Sequence, residues 1–362
     1  MAVPEVYAEA VRKLPDLGEI LQQQRPWMSG QPFQMQEGSI SEAPKGVGNP
    51  WKGAYSNHGF WFKLEEGDQR MFDKLVARSN EEEKFLMRYE LLDELRAAHR
   101  TDVDFLVAAN QRGDLIGGVV RGGDTVVVHF VCQEYRHSAI GSILIKELIK
   151  RAGGKQFTIT LNSSLYRSID RFGAFTTVAG STLQHVTVTN PNGLGTIAHP
   201  TYRTLTNIDW ENISKLLDQG RVSIESAKIW ARDGQFTVVG DEKGVVSAVV
   251  RVVEAAGGYV KRIVVGPLVA DSTVAAEAVL HAALQPMQND KTDYPWNPDV
   301  QSLHRRTLHF RIPKGNKEMM TILRKFAGEG SMEVSRIEYQ TFSMDGSNSF
   351  DAATIFAAQM AY

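Results

Sequence analysis

The stretch VVVHFVCQEYRHSAIGSILIKELIKRA, residues 126–152, decides how the rest of the chain is read. It opens as a β-branched run of strand length and passes through a turn of small and polar residues. It then becomes an amphipathic helix in which Ile143, Leu144, Leu148 and Ile149 recur at helical spacing. The first turn of such a helix carries backbone N–H groups with no internal partner, and the helix dipole adds partial positive charge there. A turn of small residues lets an anion come close enough to collect several of those N–H groups at once. Arg136 adds a full positive charge at the rim. The guest implied by such a cradle is a pyrophosphate.

Working outward, the elements fall in a repeated order. A strand at residues 58–64 (HGFWFKL) is followed by helices at 69–78 and 81–100, the second with Phe85, Tyr89, Leu92 and Leu95 as one apolar stripe. Three strand-like runs, VDFLVAAN (103–110), LIGGVVR (115–121) and TVVVHFVC (125–132), are separated by QRGD and GGD, residues suited to hairpin turns. The motif helix precedes a strand QFTITLN (156–162), a short helix and the segment FGAFTTV (172–178). Residues 190–203, NPNGLGTIAHPTYR, hold two prolines, two glycines and no periodicity, and mark a domain boundary. Beyond it the order recurs. A helix at 210–219 leads to strands near FTVVG, VVSAVVRVVEA and YVKRIVVGPLV, then an Ala-rich helix at 273–284. A strand LHFRIP, a helix at 317–326 and a strand SRIEYQTFSM follow. The expected layout is an N-terminal extension (1–58), a first domain (59–189), a linker (190–203), a second domain (204–345) and a tail (346–362) carrying a small-residue helix docked on the body.

At the motif the chain resembles the GNAT superfamily of N-acetyltransferases. The family's pyrophosphate loop has an Arg or Gln, two residues, a Gly, one residue, and a Gly or Ala. Arg136, His137, Ser138, Ala139, Ile140 and Gly141 hold those positions, with Tyr135 before and Ser142 after. A second family block follows in order: Asn162 ends the next strand, and Ile169, Asp170, Arg171, Phe172, Gly173 and Ala174 come later. Two departures stand out. Ala139 replaces the first loop glycine, which strains the cradle if a positive φ is needed there. Ile169 replaces a tyrosine that often serves as the acid toward the departing thiolate, and Tyr166, three residues earlier, is the nearest substitute.

The resemblance implies an α/β (α+β) fold of two GNAT-like domains, each a mixed, mostly antiparallel central sheet flanked by helices, the second degenerate. It implies acetyl-CoA as acyl donor, held by Val131, Cys132, Arg136, His137, Ser138, Ala139, Ile140, Gly141, Ser142 and Asn162. It further implies direct attack of a primary amine on the thioester within a ternary complex, the oxyanion meeting a backbone N–H near Val131. The nearest titratable groups for amine deprotonation are Glu134, His129 and Glu94. Glu134 reads equally as a helix-dipole partner, and His129 as a strand histidine bonded beside the core. A cut after residue 190 is expected to leave a domain that still binds CoA. Two rival readings are a non-catalytic acyl-CoA-binding protein and a protein or peptide N-acetyltransferase.

Composition sets outer bounds. Among 362 residues, 43% are apolar and 23% charged, as in an ordinary globular protein. Forty Lys and Arg against 42 Asp and Glu lack the basic excess of a nucleic-acid binder. No run approaches the roughly 18 apolar residues of a membrane span. A single cysteine, Cys132, excludes an intrachain disulfide, and the nine histidines contain no HExxH motif, so no metal is expected. The expected setting is cytoplasmic and the expected partner a small-molecule amine. The second half shapes either the acceptor pocket or the surface of a homodimer.

Overall fold

The computed structural model describes residues 41–42, 55–57, 60–83, 87–136, 138–162, 175–189, 191, 201–219, 222–255, 261–288, 306–328, 330–344 and 355–357. They fall into two compact units, residues 1–64 with 109–114 and residues 65–108 with 115–362. In the smaller unit, β1 (Ser41–Glu42), β2 (Tyr55–Asn57) and β3 (Phe60–Glu66) form an antiparallel meander. A tight turn there is held by Asn110, whose side-chain oxygen accepts from the amides of Arg112 and Asp114 at 2.9 Å each.

The larger unit is built on one sheet. Its strands are β4 (Val103–Asn110), β5 (Leu115–Gly122), β6 (Thr125–Val131), β7 (Thr158–Asn162), β8 (Thr176–Thr177) and β9 (Leu183–Thr189), then β10 (Arg203–Thr204), β11 (Phe236–Gly240), β12 (Val246–Ala255), β13 (Lys261–Ala270), β14 (Arg306–Pro313), β15 (Ser331–Ser343) and β16 (Ile355–Ala357). The helices are α1 (Gln69–Glu83), α2 (Leu91–His99), α3 (Ile140–Ala152), α4 (Trp210–Gln219), α5 (Ile224–Arg232), α6 (Thr273–Gln288) and α7 (Lys317–Ala327). From β4 the order is β4-β5-β6-β7-β15-β9-β14-β13-β12-β11-β10. Only two of the described ladders are parallel, β6 with β7 and β13 with β14, and each is bridged by a helix, α3 or α6. A parallel return needs such a crossover, so each half carries one strand–helix–strand unit within an otherwise antiparallel frame.

The sheet is covered on both faces. In the second half, Leu308, Phe310, Val186 and Val188 point toward α6 and α7, where Val279, Leu280, Leu323 and Phe326 are fully buried. Val249 and Val269 point the other way, toward Leu217 of α4 and Trp230 of α5. In the first half, Phe72 and Leu75 of α1 and Leu92 of α2 pack on Phe105, Val128 and Phe130.

The two expected sheets are therefore joined, and the joint is a strand exchange. β15 lies between β7 and β9, pairing Thr341 with Thr160 on one side and Met332 with Val188 on the other. β9, from the first half, pairs with β14 of the second, Phe310 opposite Val186. A cut after residue 190 removes β15 from one edge of β7 and leaves β6 on the other.

Three local expectations are corrected. The helix expected over 81–100 is replaced by α1 running on to Glu83 and a shorter α2, because Asn80 hydrogen-bonds the backbone of Met87 in both directions, at 3.0 and 3.1 Å, and fixes a turn there. Tyr89, expected in the apolar stripe, is exposed as a result. Helix α5 was unforeseen; Ser223 caps it by accepting from the Ser226 amide at 3.1 Å, while Ala227 and Trp230 supply a short apolar face. In the tail, residues 355–357 are a strand rather than a helix. The segment 163–174, with Tyr166 and Ile169, lies outside the described residues.

Candidate functional site

Strand β6 ends at Val131 and the chain turns through a 3₁₀ segment, Gln133–Tyr135, before α3 begins. The residue that starts the helix is Ala139, at φ 65 and ψ 0, the left-handed region that a side chain disfavours. Its side chain offers no cap, and the first helical bond runs from the Ile143 amide to the Ala139 carbonyl at 3.0 Å. The amides of Ile140, Gly141 and Ser142 are thus left without intrahelical acceptors, at the positive end of the dipole.

Gly141 has a steric reason to be glycine. A Cβ placed on it would lie 3.0 Å from His129 Nε2 and 3.1 Å from Cε1. The ring cannot easily yield, because Nε2 also makes a 3.2 Å hydrogen bond with the Gly141 carbonyl. His129 is thus a strut between β6 and the start of α3. Burial pushes its pKa down against the opposing pull of that carbonyl bond. Its Nδ1 is enclosed with no hydrogen-bond partner among the described residues.

The strand end is defined by alternation. The Cys132 amide donates to the Ile116 carbonyl at 2.9 Å, and Gly117 stands opposite Val131. In an antiparallel ladder this turns the Val131 N–H and C=O to the other edge of β6, facing β7. Arg136 Nε donates to that Val131 carbonyl at 3.0 Å. On this edge the β6–β7 ladder is two pairs long, Thr125 with Thr158 and Val126 with Ile159. Past it the strands have no mutual pairing, so a notch opens between Val127–Val131 and Thr160–Asn162, with the α3 amides at its upper end. Cys132, expected to contact a ligand, has its amide and carbonyl engaged by Ile116 and Tyr135. Its buried thiol is pushed up to about 12 by burial and by the nearby Glu82 and Glu134 carboxylates.

Two side chains at this end escaped the sequence reading. Glu82, nearly buried at the end of α1, accepts from the Gln133 amide at 2.7 Å, pairs with Arg78 and lies 3.7 Å from Arg136 Nη2. Arg78 also reaches Glu134 at 2.5 Å. The only advance signal was the i, i+4 spacing of Arg78 and Glu82. Arg136 therefore sits between β6 and Glu82, while Ser138 hydrogen-bonds the Tyr135 carbonyl. His137 lies outside the described residues.

The three candidate bases are not brought together. Glu134 is exposed beside the strand end, paired with Arg78. His129 is the strut just described. Glu94 lies in a buried cluster joining the halves: it pairs with Arg88 and accepts from Arg251 Nη2 at 2.8 Å, Gln235 bonds both arginines, and Arg251 stacks on Trp230 at 4.3 Å. That cluster borders a cleft of about 550 Å³, its open mouth included, also lined by His99, Asp124 and Ser226 but by none of the cradle residues.

Below the notch, the middle strands show a polar face opposite their apolar one. Asn162 stands opposite Tyr339, and Thr160 bonds Thr341 at 3.0 Å. Arg311 stacks on Tyr339 at 4.0 Å and stands opposite His185. His185 Nε2 lies 3.2 Å from His309 Nδ1, and Thr307 bonds His309 Nε2 at 2.9 Å. Burial first, then Arg311 and His309, push His185 down to about 3; burial and Arg262 push His309 down to about 4. Both rings are neutral at pH 7.

No protein-family model matches the chain, and no curated protein matches it. Solved structures do. A Pyrococcus horikoshii protein described as a candidate acetyltransferase aligns with a TM-score of 0.57 at 16% identity, over 83% of this chain and 95% of that one. A GCN5-related N-acetyltransferase from Sphaerobacter thermophilus aligns at 12% identity over 78% of this chain and 95% of its own, with a TM-score of 0.47. At these identities the likeness to the Pyrococcus horikoshii protein is one of fold alone: among the described residues, a mixed, mostly antiparallel sheet flanked by seven helices. No cluster of three or more metal-ligating side chains occurs among the described residues.

Proposed function

We propose that this chain is an acetyl-CoA-dependent N-acetyltransferase of tandem GNAT design that acts on a primary amine of a small molecule. The observation that carries the reading is the conjunction of an uncapped helix start, held by a left-handed Ala139, with the notch that opens where β6 and β7 part. The three α3 amides suit a pyrophosphate, and the notch suits an extended pantetheine arm. Its Val131 N–H points where a thioester oxygen gains charge as the amine attacks. Arg136, Ser138 and the Ile140–Ser142 backbone form the phosphate end of the cofactor site, and Asn162 the opposite wall.

The amine attacks the thioester carbon directly; the C–S bond breaks and CoA leaves as the thiolate or thiol. Holding both reactants in one notch supplies orientation. Glu134 is the base in this scheme, acting through water, because it is exposed three residues after Val131 while Glu94 is enclosed by two guanidiniums and His129 braces α3. The polar floor on β7, β15, β9 and β14 receives the acceptor. Its hydroxyls and neutral histidines suit a small polar amine, and both halves contribute to it.

Calorimetric titration with acetyl-CoA, beside an Arg136→Glu control, tests the cradle: micromolar binding lost in the control is expected, and no binding to the parent protein refutes the reading. Amine-dependent release of CoA separates an enzyme from a non-catalytic acyl-CoA-binding protein with the same site.

A further inference from the structure

The second half repeats the strand–helix–strand unit, yet both features that make the first half a cofactor site are closed there by the chain itself. The helix start is the first. Ser272 precedes α6 and its hydroxyl accepts from the Ala275 amide at 3.2 Å, a side-chain cap of the kind that Ala139 cannot provide at α3. Strand β13 also runs to Ala270, leaving Asp271 and Ser272 where the first half has eight residues, 132–139, between strand and helix.

The notch is the second. β13 and β14 pair in parallel from Lys261 with Arg306 to Val265 with Phe310, and then part, as β6 and β7 do. Here the opened edge of β13 is taken. Strand β16 pairs antiparallel with it, Leu268 opposite Ala357 and Val269 opposite Ile355, and packs against β14 as well. An extended segment bonded to the edge of the parting strand is what a pantetheine arm would be in the first notch.

We infer that β16 is a built-in substitute for the pantetheine arm, sealing the second notch so that the chain offers one acyl-CoA site, the one between β6 and β7. The inference rests on the cofactor reading of the first notch for its meaning, but its test does not.

Hydrogen exchange on the full chain with Ala357→Pro removes from β16 the backbone donor that faces Leu268, without deleting the strand. Exchange of the Leu268 and Ala270 amides, which face away from β12, should accelerate roughly tenfold or more, while Val269, whose amide faces β12, and Ile263–Val265, paired with β14, should hold their protection. A chain lacking residues 345–362 should bind a synthetic peptide of residues 351–361 in trans, pantetheine without its nucleotide should compete, and the full chain should bind neither at that notch. Unchanged exchange in Ala357→Pro overturns the proposal, as does failure of a folded truncated chain to capture the peptide. Two acetyl-CoA molecules bound per full chain overturn it too. If acetyl-CoA does not bind at all, the enzymatic reading falls while the exchange result still decides whether β16 fills the notch.

Discussion

Replacing Ala139 with glycine should stabilise the protein, against the usual direction of an Ala→Gly change. Ala139 is held at φ 65, where an L-residue with a Cβ loses about 1–2 kcal/mol. Glycine relieves that strain but loses about 0.4–1 kcal/mol through its freer unfolded chain. The difference is a gain of about 0.5–1 kcal/mol. In urea, with a slope of about 3 kcal/mol/M, this raises the midpoint by about 0.2–0.3 M with the slope unchanged. Acetyl-CoA affinity should not fall, because the turn already has the shape that glycine prefers. A midpoint lowered by about 0.2–0.3 M, the ordinary effect of glycine near a helix, refutes the left-handed entry and with it the uncapped amides of Ile140, Gly141 and Ser142.

Gly141→Ala should weaken acetyl-CoA binding by displacing the His129 ring, and the added change His129→Ala should recover part of the loss; independent effects in a double-mutant cycle would contradict the strut. Glu94→Gln removes the buried carboxylate shared by Arg88 and Arg251, each about 8% exposed, leaving Arg88 the longer 3.6 Å contact with exposed Glu90, and should lower unfolding stability by about 3 kcal/mol in urea. His185 and His309 are depressed below the unfolded value of 6.5, so the unfolded chain binds protons first as pH falls. Their stability contribution is complete above that value and is lost on the way to pH 4 and 3. Between pH 7 and 5 each histidine should remove up to about 2 kcal/mol, and a His185→Gln/His309→Gln variant should show a flatter pH dependence of the urea midpoint. Cys132, buried and pushed up to about 12, should resist iodoacetamide at pH 8 in the folded protein and react after unfolding, as mass spectrometry will show.

Much of the frame is legible in the sequence because it is local. Apolar runs of strand length between Gly- and Asp-containing turns mark β4, β5 and β6, the four apolar residues of α3 set its face, and the turn between β6 and α3 is a matter of small residues and Arg136. The strain at Ala139 follows from the absence of glycine where the turn needs a positive φ. What is not local is hidden. Nothing in the composition of residues 331–343 tells that β15 closes β7, some 170 positions earlier; pairing partners are chosen by the whole sheet. The same holds for Glu94. Its i, i+3, i+4 acidic neighbours suggest a solvated helix face, yet the partners that enclose it, Arg251 and Gln235, come from the other half. β9 alternates polar and apolar residues, but its meaning as a strand shared by two halves depends on β14. The tail strand β16 is three residues, Ile355–Ala357, in a tail rich in alanine, with no period to separate strand from helix until β13 offers an edge.

The crossing of β9 and β15 also bears on heredity. Each half of the coding sequence specifies the strand that completes the other half's sheet. A fission of the gene between codons 190 and 203 would therefore create two polypeptides that are obligate companions, each carrying the piece the other lacks. For the same reason, a lesion in residues 331–343 would be scored in a screen as a cofactor-site defect, although it maps far from the cradle. Change in the two halves is thus coupled: neither can lose the strand that the other's sheet takes up.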